Sequence, residues 1–584
     1  MSKDIASFLL VFALFSGWSH AREVRVKSVT ASGRVTISVN GVPCITLASG
    51  AGSLSVQDRA NLIRLRLERW AGAGANPKFG VARKGSSYRV TGAGEILAVP
   101  TAADAKRLGL KRRSTAHRWA ATLQRAWNTP FLTLSPSGAV IGMGMSRTFQ
   151  VGGGASGPIY VRSEPEGLVS INQSGKTITL TGRNPGQGSI SVIRDGASVT
   201  SALLVLKLAG SVRPVQLEVT GGSVPRDVLE EAFSYEIDAS MKLEPGCVYK
   251  LTQPPAFPSV WTRGDQLTLS ATVYMHGPQR LGVTRSIPIT VQRRKVDRAT
   301  GTVLFYSNYP ERVTVPQTLF RQTVNHDTNT RLLYHHQNGT SAAMNLGIDI
   351  YNPGDKSVHA LVVDGTGPVT PDTVLTGHVA AYRYLKRHVD GVGIVLRIPP
   401  GARRRIVRAQ LKINDTASGI LMVRPLSGGD ILLTAAAEHG PETDRAPAQL
   451  VKNDAVFPSP DKTIEAEYEV GKTWAHIALG RHAITNPNGT KLSGNYGVVY
   501  TVKLRISNPT PSPRKVQVLF EAKAGAARGA FLVDGKLVQT PMIYPPAEVK
   551  ITDFHLRAGE RRNVTIITLP AAGGSYPAGI IVHG

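Results

Sequence analysis

The sequence predicts a mainly β, multidomain chain, with several β-sandwiches in series behind a small N-terminal α+β domain. Three observations predict it. The 584 residues exceed what one hydrophobic core can hold, so the chain must divide. From Phe131 onward, short runs of alternating apolar and polar residues are punctuated by Gly, Pro, Asn and Asp, the pattern of half-buried strands joined by turns. The C-terminal half also repeats itself, and a repeated run of strands and turns is a repeated domain. The divisions that follow are 1–21, 22–130, 131–210, 211–298, 299–450 and 451–584: a leader, the α+β domain and four sandwiches.

Residues 1–21 read as a secretory signal peptide. Lys3 supplies a positive start, and Ile5 to Trp18 is an apolar run too short to span a bilayer comfortably. Ser19 and Ala21 are small residues where a signal peptidase reads, so cleavage is expected before Arg22. The other reading of this stretch is an uncleaved anchor. No cysteine stands at the cleavage point to carry a lipid, and no later stretch is long and apolar enough to cross a membrane. Export to the periplasm, the cell surface or the medium is the expectation.

The α+β domain opens with EVRVKSVTASGRVTISVNGVPCITL, three strands with turns at ASGR and NGVP. SVQDRANLIRLRLERWAGAG then turns helical, with Ser55 as cap, Asp58 in the first turn, and Ala60, Ile63, Leu67 and Trp70 on one face. SYRVTG and EILAVP read as further strands. TAADAKRLGLKRRSTAHRWAATLQRAWN follows as a short helix and a longer one.

The net charge of +28 is uneven. Between Arg22 and Pro130 there are 19 Lys/Arg against 5 acids, a net of +14. Its densest cluster is Lys106, Arg107, Lys111, Arg112, Arg113, Arg118 and Arg125. On an exported chain such a face suits anionic envelope polymers, lipid headgroups or other envelope proteins, while nucleic acid is a poor fit outside the cell. The alternative is a solvated face that repels self-association. Only Cys44 and Cys247 are present, compatible with two buried thiols or one bridge, and too few for a disulfide scaffold.

Two stretches carry family resemblances. The order NGVP, DRA..I and AVPTAADA in 22–130 resembles the extracytoplasmic N-terminal module of cyanobacterial mechanosensitive-channel-like proteins. The channel itself is absent here, so no channel function carries over. The glycine-led strand Gly144 to Val151, then SEPEGLVSI and ITLTGRNPGQGSISV, resemble bacterial Ig-like domains and the N-terminal domain of pilus-formation secretins, over 132–206. Gly182, Gly186 and Gly188 match the glycine turn of that pattern. The resemblance implies an Ig-like sandwich, a fold used as spacer and contact module on many surface proteins. Val215 to Val291, with SYEIDASMKL and QLTLSATVYM read as strands, looks like another sandwich.

In the C-terminal half, LGIDIYNPGDKSVHALVV parallels YTVKLRISNPTPSPRKVQVLF, each with an Asn-Pro turn at Asn352 or Asn508. IPPGARRRIVRAQL parallels LRAGERRNVTIITL, aligning Gly401, Arg403 and Arg404 with Gly559, Arg561 and Arg562. ASGILMV then parallels PAGIIVHG. Two sandwiches of equal strand order are therefore expected.

NHDTNTRLLYHHQNGT, Asn325 to Thr340, gathers His326, Asp327, His335 and His336. On a strand, His335 and His336 point to opposite faces and cannot chelate one ion, and zinc needs three or four convergent ligands. NGT after them signals a tight hairpin. No metal, cofactor or catalytic motif is found: no H-E-x-x-H, no G-x-S-x-G and no phosphate loop. GAGE at Gly92 and GMGMSR at Gly142 read as turns. Five N-x-S/T sequons, at Asn172, Asn338, Asn414, Asn488 and Asn563, fit chance in a turn-rich chain, and the bacterial resemblance argues against glycan use. The expected function is non-enzymatic and structural or adhesive. Alternatives are a periplasmic accessory of a pilus or secretion apparatus, or a secreted hydrolase whose site the sequence does not display.

Overall fold

The computed structural model describes residues 24–438 and 455–584. The leader expected at 1–21 and the junction at 450/451 lie outside the described residues. The chain is mainly β, 52% strand against 14% helix, and multidomain. It forms two compact units. The first takes in the chain up to Ser211, with Leu243–Lys250 and Tyr274–Thr284. The second takes in Val212–Lys242, Leu251–Val273 and Arg285–Gly584.

In the first unit, residues 24–130 form a basic head. Strands Val26–Ala31, Arg34–Val39 and Val42–Leu47 make one antiparallel sheet, and Gly80–Lys84, Ser87–Gly92 and Glu95–Ala98 a second. Helix α1 (Val56–Gly72) starts at a capping box. Ser55 accepts from the Asp58 amide, and the Asp58 carboxylate accepts from the Ser55 amide. Ala60, Ile63, Leu67 and Trp70 are buried, as their spacing predicts. Helix α2 (Ala102–Arg107) repeats the capping box with Thr101 and Asp104. Helix α3 (Arg112–Asn128) buries Ala116, Trp119, Ala120, Leu123 and Trp127. Phe79 packs between Trp70 and Trp127, at ring separations of 6.1 and 5.7 Å. Cys44 and Cys247 are both free and buried.

Residues 132–206 form two four-stranded sheets facing each other over Phe149, Ile178, Leu180, Ile190, Val192 and Leu203. Gly188 lies in the strand Gly186–Arg194, where an added Cβ would lie 2.2 Å from the Glu164 carbonyl oxygen, so no side chain fits there.

The second unit corrects the expected sandwich at 211–298. SYEIDASMKL is not a strand: its first seven residues end helix α4 (Arg226–Ser240), which buries Val228, Leu229, Ala232, Phe233 and Ile237. The long strands of this stretch lie in one sheet that runs on into the next. Strand Val283–Arg293 pairs with Val215–Val219, which pairs with Ile394–Ile398. The sheet then continues through Val358–Thr366, Thr416–Ser427, Thr328–Asn338 and Gly301–Ser307. Opposite that sheet this stretch supplies a helix that packs on Val215–Val219 and Arg403–Leu411, with two short two-stranded sheets beside it.

The duplication is present. Met344–Tyr351 pairs with Arg403–Leu411 as Tyr500–Ser507 pairs with Arg561–Thr568. Val358–Thr366 lies between Ile394–Ile398 and Thr416–Ser427, as Arg514–Ala522 lies between Glu548–Leu556 and Ala578–His583. Asn352 and Asn508 therefore occupy equivalent corners, where the chain crosses from one sheet to the other. The Asn-Pro and G-x-R-R motifs are two halves of one buckle. The amides of Gly401 and Gly559 donate to the carbonyls of Asn352 and Asn508, at 3.0 and 2.8 Å. The side-chain amide of Asn352 reaches the Lys356 and Ile398 carbonyls, and that of Asn508 the Ser512, Leu556 and Arg557 carbonyls. Gly401 and Gly559 sit at φ +66° and +74°, where other residues are strained.

A third buckle corrects the hairpin expected at NGT. Thr328–Asn338 and Met344–Tyr351 lie in different sheets, so the Asn338 turn is a corner. Fully buried Asn338 donates to the carbonyls of Ala342, Leu411 and Lys412, and its own carbonyl accepts from Asn414, at φ +65°.

Between Val358–Thr366 and Ile394–Ile398 the first copy carries helix α5 (Thr373–Val389), where the second has the hairpin Ala530–Val533/Lys536–Gln539. Asp372 caps α5. The helix packs on its own sheet and on Ala530–Val533 of the second copy. Leu333, Tyr384 and Met422 of the first copy share one continuous core with Phe457, Val498, Phe520 and Phe531 of the second.

Candidate anion-binding face and buried charge cluster

The head divides its charges by helix. Four acids fall among its residues 24–130, and all are engaged. Asp104 pairs with Arg59 at 2.8 Å, Glu68 with Arg64 at 2.7 Å and Glu95 with Arg69, three arginines of α1. Asp58 is held in its capping box, which keeps its carboxyl below the usual range. That leaves the cations of α2 and α3 without acids. Lys106, Arg107, Lys111, Arg112, Arg113, Arg118 and Arg125 are all exposed. Among the described residues, none of the seven forms an ion pair. Lys111, Arg118 and Arg125 recur every seventh residue, about 10 Å apart along one stripe of α3. The N-terminus of α3 has no side-chain cap and no acid in its first turn. Lys111, Arg112 and Arg113 thus add positive charge where the helix dipole is already positive. The arrangement is self-repulsive without an anion and well suited to a multivalent one.

In the histidine window, as elsewhere among the described residues, no group of three His, Cys, Asp or Glu converges. His335 and His336 face opposite sides of Thr328–Asn338, opposite Ser418 and Ala417. His336 is buried and satisfied. Its Nδ1 donates to the Pro310 carbonyl and its Nε2 accepts from the Ser307 hydroxyl, both at 2.9 Å, which fixes the neutral tautomer. Both His335 ring nitrogens are buried without a hydrogen-bond partner, 3.8 Å from Glu311 at the nearest. Burial pushes both rings down to about 4. His326 is exposed, and Asp327 is paired with Arg424.

The second unit also gathers a cluster that the motifs did not signal. Asp227, Glu231 and Tyr235 stand at four-residue intervals on α4, and Arg383 and Arg387 do so on α5. With Asp364 and Thr366 they line a cavity of about 540 Å³. Arg387 donates to Asp227 at 2.8 Å and to Glu231 at 2.7 Å, and lies 3.8 Å from Asp364. One guanidinium thus bonds two carboxylates and lies near a third. No sequence motif marks these residues, because they come together only when α4 and α5 pack.

Residues 35–129 match the model of DUF8459, a domain of unknown function. All seven cations of the Lys106–Arg125 cluster lie inside the matched stretch. No curated protein matches the chain. Solved structures give short, low-identity likenesses. Domains 4 and 5 of the S-layer protein SbsC are 19% identical over 13% of this chain and 51% of theirs, with a TM-score of 0.13. Human mucin-like protocadherin EC1-2 is 9% identical over 28% of this chain and 98% of its own, with a TM-score of 0.11. A titin tandem of immunoglobulin domains is 10% identical over 28% of this chain and 97% of its own, with a TM-score of 0.13. This chain spans about half of the first of these, and at such TM-scores none carries an inference. Among the described residues, no helix is long and apolar enough to cross a membrane.

Proposed function

We propose that the chain is an exported, non-enzymatic structural protein of a bacterial envelope or surface. Its sandwiches act as spacers, and its head anchors it to an anionic layer. The observation that carries the reading is the separation of charge within the head. Every acid there is used by α1 or by a helix cap, while the six cations of α2 and α3, with Lys111 at the α3 N-cap, are exposed and form no ion pair among the described residues. The leader-like residues 1–21 support export, and N-terminal sequencing should find Arg22 first. A non-enzymatic role is supported by the closure of the carboxylate cluster on Arg387.

The test titrates the full chain against anionic vesicles and an acidic polysaccharide, beside a variant with Lys111, Arg112, Arg113 and Arg118 changed to Gln. Binding should fall steeply as salt rises, because exposed charges are screened within about 8 Å at physiological ionic strength. The variant should bind at least about tenfold more weakly, since each cation near an anionic surface contributes about 1 kcal/mol. Equal binding by the two proteins, or none at low salt, would leave the cluster as a solvated face.

A further inference from the structure

The hydrogen bonds around Tyr235 count protons. Its hydroxyl lies 2.9 Å from the Ile406 carbonyl oxygen and 2.9 Å from Glu231 Oε1. A phenol has one proton to give, and a backbone carbonyl can only accept. Both contacts are hydrogen bonds when Tyr235 donates to Ile406 and a protonated Glu231 donates to Tyr235. The charges around Glu231 favour that proton. From its own helix it faces Asp227 and Tyr235. It also faces Arg387 and Arg383 of α5, Asp364 of Val358–Thr366, Arg408 of Arg403–Leu411 and Tyr334 of Thr328–Asn338. Arg383 is exposed and donates to the Thr366 carbonyl, and Arg408 lies 3.5 Å from Asp238. Arg387 thus bonds Asp227 and Glu231 directly, while Asp364 is held mainly by the Thr366 amide and hydroxyl, with Arg387 and Arg383 nearby.

We propose that α4 is a pH-gated latch, docked on α5 and Arg403–Leu411 while Glu231 carries a proton and loosened when Glu231 ionises. Three elements meet at this cluster: Asp227 and Glu231 from α4 bond Arg387 of α5, and Tyr235 bonds the Ile406 carbonyl of Arg403–Leu411, beside the Asp238–Arg408 pair at 3.5 Å. Ionising Glu231 turns its hydrogen bond to Tyr235 around, so Tyr235 must leave Ile406 to donate to the carboxylate. It also places a second full negative charge beside Asp364. Burial, then Asp364, lifts the Glu231 carboxyl from 4.5 to about 7, so docking is complete in acid and weakens as pH rises through neutrality.

Hydrogen exchange in the full chain tests this. The amides of Val228–Ile237, corrected for intrinsic exchange, should lose about tenfold in protection between pH 6 and 8.5, the linkage expected for a group moving from 4.5 to about 7. Glu231→Gln keeps a donor for Tyr235 and an acceptor for Arg387, and should hold the acid-form protection across the whole range. Glu236→Gln changes a carboxyl on the same helix that faces Arg213, Arg397 and Arg404, and should leave the step in place. A step that persists in Glu231→Gln, or that vanishes in Glu236→Gln, overturns the proposal. If Glu231→Gln does not fold, infrared difference spectra of the unmodified chain decide. A protonated carboxyl band lost across neutral pH supports the latch, and its absence at pH 6 overturns it.

Discussion

Asn508 is 1% exposed and holds three carbonyls at once, those of Ser512, Leu556 and Arg557. Asn508→Ala strands buried acceptors whose desolvation costs about 1–3 kcal/mol each, so urea unfolding should show a loss of about 3 kcal/mol. Asn508→Asp should be no better, because a carboxylate has no proton to donate to a carbonyl. His335 supplies the opposite kind of test. Its folded pKa is depressed to about 4 from 6.5, so the unfolded chain takes up the proton first and stability falls as pH drops between those values. His335→Leu should therefore gain about 2 kcal/mol on the unmodified chain at pH 5 relative to pH 8. At this scale the sequence was legible where a residue's chemistry is local. The caps Ser55 and Asp58 and the opposed histidines could be read directly. Asn338 could not, because a hairpin and a sheet-to-sheet corner both begin with Asn-Gly, and the partners at Leu411 and Lys412 are distant in sequence.

Helix α5 joins the two copies through close backbone contact. A Cβ on Gly377 would already meet the Ala572 carbonyl oxygen at 1.8 Å, and His378 bonds Gln539 at 2.8 Å. With the copies coupled, the amides of Thr328–Asn338 and Tyr500–Ser507 should exchange through one opening of the same free energy. Gly377→Val should split them into two openings separated by more than about 1 kcal/mol, and unchanged coincidence would show that the helix is not the coupling element. Neither α4 nor α5 was legible. In α4, Tyr235, Ile237 and Ala239 alternate with polar residues and imitate a strand, although Val228, Leu229, Ala232 and Phe233 complete a helical face. At α5 the repeat gives no guide, since the second copy fills the same position with a hairpin turning at Asp534 and Gly535.

For the whole molecule, the +28 charge is a property of placement more than of amount. Arg59, Arg64 and Arg69 of α1 are paired with acids of the head, and the cations of α2 and α3 are available to something else. Changing Arg112 and Arg113 to Gln should raise the melting temperature of the head by about 2–4 °C at low salt, because like charge leaves the positive end of α3. The gain should vanish at high salt, where the repulsion is already screened. The duplication was the most legible large-scale feature, because its glycines and asparagines recur at fixed spacing for a geometric reason, the buckle. The continuous sheet from 211–298 into the first copy was not legible, because strand order between distant segments leaves no local pattern.

The Asn338 corner also bears on where this chain can be made. Asn338-Gly339-Thr340 and Asn414-Asp415-Thr416 are both acceptor sequons, and the two asparagines close the same buckle. A eukaryotic secretory host attaches sugar to such sites while the chain is still unfolded. A glycan on Asn338 would take an amide hydrogen needed at Ala342, Leu411 and Lys412 and would have to fit where the side chain is fully buried. Material secreted from yeast or animal cells should therefore carry Asn338 unmodified wherever it is folded, with the glycosylated fraction retained or degraded.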